Sequence, residues 1–198
     1  HEDAQQSRGA VTVLQAIAVA MAIGYLVLAI RENIWCWFCA AVSTAIYAWV
    51  TFGAQLYMDS VLNVFYFAMA VYGWYVWTTG RRDGHRKPVV VWPVTTHALA
   101  LLAIAVASGI NGYLLETRTD QAFPYLDAVT TWGAVWATFL VARKVLENWW
   151  YWLVIDAIYV YLYWSRDLDL FAALFVLYIV MIPFGIVRWT RSRREAHA

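Results

Sequence analysis

Asp156 is the one ionisable residue in the middle of a long apolar run, seven residues from Trp149 and eight from Trp164. A carboxylate at mid-depth in hydrocarbon is rare and costly, so by default it marks a ligand, ion or proton site. Trp149, Trp152 and Asp156 stand at i, i+3 and i+7, which at 3.6 residues per turn sets them on one helical stripe about 10 Å long. Two indole faces and a carboxylate on one stripe suit a flat cationic ring, because aromatic faces attract cations and a carboxylate takes the charge or accepts hydrogen bonds from hydroxyls. The blander readings are a polar partner such as His97 for Asp156, and an interfacial anchor beside Trp150 for Trp149. Asp59 and Asp127 sit at the ends of their runs, within reach of water or headgroups.

The elements that must position these residues are apolar helices. Of 198 residues 63% are hydrophobic and 14% charged, against about half and a quarter in a soluble domain, so the expected solvent is the lipid bilayer. Seven runs approach the roughly 20 residues a hydrocarbon core requires: 11–30, 34–52, 58–79, 89–110, 125–142, 149–164 and 170–189. The expected fold is an all-α integral membrane protein of seven transmembrane helices. The first run begins after a polar stretch and is too long for a signal h-region, so no cleavable signal is expected. The 13 Trp and 13 Tyr suit the two membrane interfaces and an aromatic ligand site. Net charge is +1, which gives no argument for nucleic acid. Cys36 and Cys39 share a helical face but lie in an apolar stretch with no following His, and are read as small core residues.

Arg31, Arg81, Arg82, Arg86, Lys87, Arg143, Lys144, Arg188, Arg191, Arg193 and Arg194 fall on one side of these runs, leaving Arg8, Arg118 and Arg166 on the other. The richer side is the cytoplasm. The amino terminus is therefore expected outside and the carboxyl terminus inside.

Internal similarity supplies the architecture. Sliding by 115 residues matches Glu32, Asn33, Trp35, Trp37 and Trp49 to Glu147, Asn148, Trp150, Trp152 and Trp164. After a three-residue deletion, sliding by 112 matches Leu62, Val64, Tyr66, Met69, Gly73 and Trp77 to Leu174, Val176, Tyr178, Met181, Gly185 and Trp189. Three helices that start outside end inside, so a second copy of the same orientation needs one further crossing, which 89–110 provides. The expectation is two parallel three-helix repeats joined by a linker helix, a pattern found in transporters. The divisions are a polar segment 1–10, a first repeat 11–80, a linker 81–124, a second repeat 125–190 and a basic tail 191–198. In this register Asp156 faces Ala41 and Trp149 faces Ile34, so the scaffold is symmetric and the site is not. Asn63 and Tyr66 are the polar candidates of the first copy, and Tyr178 is the matching tyrosine of the second.

At these residues the chain resembles the PnuC family of vitamin-precursor transporters, over about residues 11 to 190. The resemblance is carried by Ala122 through Asp127, by Arg143 through Trp152 running into Asp156, by Gln55 through Tyr57, and by Asn63 through Trp74. It implies a full-length relative of the SWEET-like 3+1+3 fold, a trimer, and a substrate site lined by Trp149, Trp152 and Asp156. The implied activity is uptake of nicotinamide riboside by facilitated diffusion, with phosphorylation inside the cell trapping it. Thiamine or another aromatic vitamin is the alternative, because Asn63 stands where many relatives have Gln and Asp156 where others have Asn.

No cofactor, metal or catalytic residue is expected. The chain has no H-E-x-x-H or G-x-S-x-G, and its three helical aspartates are dispersed. A retinal protein needs a lysine in the last run, whereas the only lysines, Lys87 and Lys144, fall between runs. One acidic residue also makes a poor proton relay. Topology is directly testable: a reporter at the carboxyl terminus should read cytoplasmic and one at the amino terminus periplasmic, and a cytoplasmic amino terminus would remove the basis for parallel repeats.

Overall fold

Among the described residues the chain forms seven helices: α1 (Glu2–Ile30), α2 (Trp35–Gly53), α3 (Tyr57–Thr79), α4 (Val94–Arg118), α5 (Pro124–Arg143), α6 (Asn148–Trp164) and α7 (Asp169–Glu195). The structure is a computed structural model that describes residues 2–53, 57–80, 87–120, 123–165, 167 and 169–196, without the side chains of 2–12, 57–59 and 170. Gln55, Arg81, Arg82, Arg86, Ala122 and Arg166, and the side chains of Arg8 and Asp59, all used in the sequence argument, lie outside that description. Four helices are apolar enough to cross a membrane, over Val13–Ile30, Trp35–Gly53, Val94–Arg118 and Phe171–Glu195. The other three are α3, α5 and α6, which carry the polar candidates Asn63, Tyr66 and Asp156 and many Trp and Tyr.

The helices separate into two compact units, His1–Lys87 and Pro88–Ala198. In the first, α2 packs on both α1 and α3. Ser43 Oγ donates to Ala18 O of α1 at 2.9 Å, and Ser60 Oγ of α3 donates to Ala48 O of α2 at 2.9 Å, so these buried hydroxyls are satisfied across helices. In the second, α4 packs on α5, α5 on α6 and α6 on α7.

Three boundaries depart from the sequence reading. The polar start is not a separate segment, because α1 begins at Glu2. The basic tail continues α7 to Glu195, whose carboxylate accepts from Arg191 Nε at 2.8 Å. The run expected at 89–110 starts at Val94 instead and continues to Arg118. Pro93 caps that helix, and the residues before it are extended: Val90 N–H donates to Lys144 O at 3.0 Å and Val90 O accepts from Leu146 N–H at 2.8 Å. Apolar Val89 and Val91 prolong the run in sequence, yet their backbone is spent on the α5–α6 turn.

The local geometry of the two units recurs 112 residues apart. Glu32 and Lys144 both take positive φ, 53° and 59°, in the turn after the preceding helix. Asn33 N–H donates to Leu28 O and Val145 N–H to Leu140 O, each at 2.9 Å. Trp37 then packs on Gly73 and stands edge to face with Trp77 at 5.6 Å and 89°, while Trp149 packs on Gly185 and stands edge to face with Trp189 at 5.4 Å and 83°. This corrects the 115-residue register and removes its deletion. Trp149 corresponds to Trp37 rather than Ile34, and Asp156 to Thr44 rather than Ala41, with Val42, Ala45, Ile46 and Tyr47 matching Val154, Ala157, Ile158 and Tyr159.

A methyl group on Gly73 or Gly185 would enter the ring of Trp37 or Trp149, whereas one on Gly109 meets nothing within 4 Å. Gly73→Ala and Gly185→Ala are each expected to cost about 1–3 kcal/mol through overpacking. Gly109→Ala, in an exposed helix interior, should be neutral or gain up to about 1 kcal/mol. Thermal unfolding in detergent followed by tryptophan fluorescence reads the contrast, and three indistinguishable variants would refute it.

Candidate functional site

Helix α6 carries the candidate stripe. Trp149 is 2% exposed and Asp156 4% exposed, while Trp152 is half-buried. The turn that starts α6 is set by Lys144 in the left-handed region, whose N–H caps Leu140 O and Val141 O at the end of α5. Asn148, fully buried, donates from Nδ2 to Val145 O at 2.6 Å and fixes the first turn. The Trp149 ring then wedges between Gly185 and Trp189 of α7, which sets the rotation of α6 and so the direction of the whole stripe. Its indole N–H has no hydrogen-bond partner among the described residues, and neither has that of Trp37.

Asp156 is a buried carboxylate, whereas the buried hydroxyls of Thr130 and Thr138 on α5 donate to carbonyls of their own helix. Among the described residues no hydrogen bond or ion pair reaches its carboxylate. His97, the polar partner considered for it from sequence, is engaged elsewhere: its Nδ1 lies 3.0 Å from Tyr151 Oη and its Nε2 3.9 Å from a Glu147 carboxylate oxygen. A buried carboxylate left alone costs several kcal/mol, a cost that a bound cation or a set of hydroxyl donors removes.

Continuing the stripe outward finds residues that a search ending at Asp156 overlooks. Trp149, Trp152, Asp156, Tyr159 and Tyr163 follow a 3-4-3-4 spacing along α6. Tyr159 and Tyr163 are stacked at 5.9 Å, and Phe175 of α7 lies 4.7 Å from the first ring and 5.4 Å from the second. Tyr178, half-buried on α7, meets Phe175 edge to face at 5.5 Å and so joins this aromatic wall. Counting two further steps of the heptad would have revealed the wall from sequence. Asn63 and Tyr66 are half-buried on α3 of the other unit, Tyr66 beside the Phe65 ring at 5.7 Å. The structure thus joins Trp149, Trp152 and Asp156 on one helix, puts Tyr178 on its neighbour, and leaves Asn63 and Tyr66 in the first unit. Among the described residues no group of three His, Cys, Asp or Glu could hold a metal ion.

The sequence matches the family model "Nicotinamide mononucleotide transporter" over residues 12–191. It is 24% identical to the nicotinamide riboside transporter PnuC of Escherichia coli K12, covering 92% of this chain and 87% of that protein. It is 26% identical to the riboflavin/roseoflavin transporter RibM of Streptomyces davaonensis, covering 86% and 82%. Its fold is similar to the crystal structure of the vitamin B3 transporter PnuC, with a TM-score of 0.73 at 21% identity, covering 93% of this chain and 83% of that one.

Removing the charge of Asp156 separates a ligand site from a structural contact without any ligand. Asp156→Asn is expected to leave the ligand-free protein as stable as the parent, or more stable by up to about 1 kcal/mol, because an unpaired buried carboxylate is lost. An interhelical partner would instead show a loss of about 1–3 kcal/mol when its hydrogen bond is broken. Thermal unfolding of the ligand-free variant decides, and a drop of several degrees would refute the site assignment.

Proposed function

The chain belongs to the nicotinamide mononucleotide transporter family, a family of multi-pass membrane transporters, and from that premise we propose that it takes up nicotinamide riboside across the bacterial inner membrane. The observation that carries this reading is the buried, unpaired Asp156 carboxylate on a stripe with Trp149 and Trp152. Nicotinamide riboside offers a pyridinium ring for the Trp152 face and a ribose diol whose hydroxyls donate to a carboxylate. In this reading Trp152 and Asp156 bind the substrate, Trp149 holds the stripe in place and edges the site, and Tyr178 supplies a further polar contact, while Asn63 and Tyr66 are the candidates of the first copy. At the 112-residue offset the first copy has Thr44 where the second has Asp156, so the charge belongs to the second copy alone.

All seven helices cross the membrane in this account, as two parallel three-helix repeats, α1–α3 and α5–α7, joined by α4. The recurrence of turn, Trp–Gly contact and Trp–Trp pair at a constant 112 residues supports the duplication. The amino terminus is outside, the carboxyl terminus is cytoplasmic, and the working unit is a homotrimer. With one acidic residue at the middle of an apolar run, transport is facilitated diffusion, and phosphorylation inside the cell traps the product. The similarity to a riboflavin carrier makes a second vitamin worth testing beside thiamine, since flavin and thiamine also present flat aromatic rings.

Proteoliposomes containing the purified protein should equilibrate nicotinamide riboside without accumulating it, and an imposed proton or sodium gradient should drive no uphill uptake. Affinity should fall in the order parent, Asp156→Asn, Asp156→Ala. The asparagine variant keeps an acceptor of the same shape and should lose about 1–2 kcal/mol, roughly five- to thirtyfold. Trp152→Ala should approach the alanine variant. Binding of thiamine or riboflavin without the riboside would reassign the substrate, and accumulation against a gradient would overturn the uniport.

A further inference from the structure

We propose that the amino-terminal end of α4 is a strap that positions the substrate stripe of α6 from behind, with His97, Tyr151 and Glu147 as positioning residues. This inference rests on the site reading given above and adds to it a part played by the linker helix.

At 100° per residue Glu147, which caps α6, and Tyr151 in its first turn lie close together, about 150° around the helix from the middle of the Trp149, Trp152 and Asp156 stripe. What holds them therefore sets how the stripe is turned and how far it is advanced along its axis. Helix α4 packs along α5 and not along α6, and an apolar cavity of about 230 Å³ between them is lined by Leu101, Ile104, Gly133, Val154 and Ile158. Across that gap the polar link is His97, 3.0 Å from Tyr151 Oη and 3.9 Å from Glu147. The same strap is tied at Val90, whose N–H and carbonyl bond Lys144 and Leu146 on either side of the turn that starts α6. Trp92 adds ring contacts to Trp136 and Phe139 of α5 at 6.0 and 6.1 Å. The Trp149 contact fixes α6 against α7, and the strap holds its opposite face. The hydrogen bonds of the strap are directional and fix one register.

Two measurements on the full-length protein in detergent test this. Backbone hydrogen exchange of the ligand-free protein should quicken about tenfold in the first two turns of α6 in His97→Ala, and Tyr151→Phe should do the same to a smaller degree. His97→Gln, which keeps a donor and an acceptor, should restore most of the protection. Nicotinamide riboside binding should weaken about fivefold in His97→Ala. That effect should shrink to under about twofold in an Asp156→Ala background, since a residue that acts by aiming a carboxylate has nothing to aim once it is gone. Unchanged α6 exchange in His97→Ala would overturn the proposal whatever the substrate is. Equal losses of affinity in both backgrounds would overturn it as well, by marking His97 as a general stabiliser. Failure of the parent protein to bind the riboside would instead count against the assigned substrate, and the exchange result would still stand as the test of the strap.

Discussion

A tryptophan ring seated on a glycine is the contact on which each half of this molecule is organised. In the first unit Trp37 of α2 lies on Gly73 of α3, and in the second Trp149 of α6 lies on Gly185 of α7. The absent side chain lets the two helices approach where the ring enters, and an edge-to-face partner, Trp77 or Trp189, encloses it. Helices that associate within a bilayer have no hydrophobic effect to drive them together and depend on close packing of this kind and on polar contacts. Each edge-to-face pair adds about 0.5–1.5 kcal/mol to its area burial. The same contact fixes the rotation of α2 and of α6, and α6 bears the candidate stripe of Trp149, Trp152 and Asp156. The packing of Trp149 and the aim of Asp156 are therefore one constraint seen at two depths.

Against that scaffold the treatment of polar groups is uneven in an informative way. Ser43 and Ser60 are buried and spend their hydroxyls on carbonyls of neighbouring helices. Thr130 and Thr138 return their hydroxyls to the carbonyl four residues back along α5. His97 is engaged by Tyr151 and Glu147. Asp156 is the buried carboxylate of this group with no such arrangement among the described residues. An unpaired buried carboxylate costs far more than the unpartnered hydroxyl of Ser108, and a ligand bearing positive charge or hydroxyl donors supplies a reason for that cost.

Much of this was legible in the sequence, because hydrocarbon thickness imposes a minimum run length and the seven runs stand out against their polar flanks. The start of α4 was not. Val89 to Val91 are as apolar as the helix that follows, and only Pro93 marks the break that frees Val90 to bond the α5–α6 turn. The register of the two halves was misread for a related reason. Helix α6 holds Trp149, Trp150, Trp152 and Trp164, so a tryptophan can be matched at several offsets. The turn that defines the true register is encoded by backbone conformation, positive φ at Glu32 and at Lys144, residues of opposite charge that no identity count would pair. The i, i+3, i+7 spacing of Trp149, Trp152 and Asp156 falls within one helix, α6. Its extension through Tyr159 and Tyr163 was visible by the same count, whereas the lack of a partner for Asp156 and the engagement of His97 by α6 depend on tertiary contacts that no spacing specifies.

The central claim is that the Asp156 carboxylate meets the substrate directly. Infrared difference spectroscopy of the full-length protein, recorded on adding nicotinamide riboside, observes that group without perturbing it. The account predicts a change in a carboxyl band on binding that is absent from Asp156→Asn. Riboside binding with no carboxyl change, or a change that persists in Asp156→Asn, would contradict it.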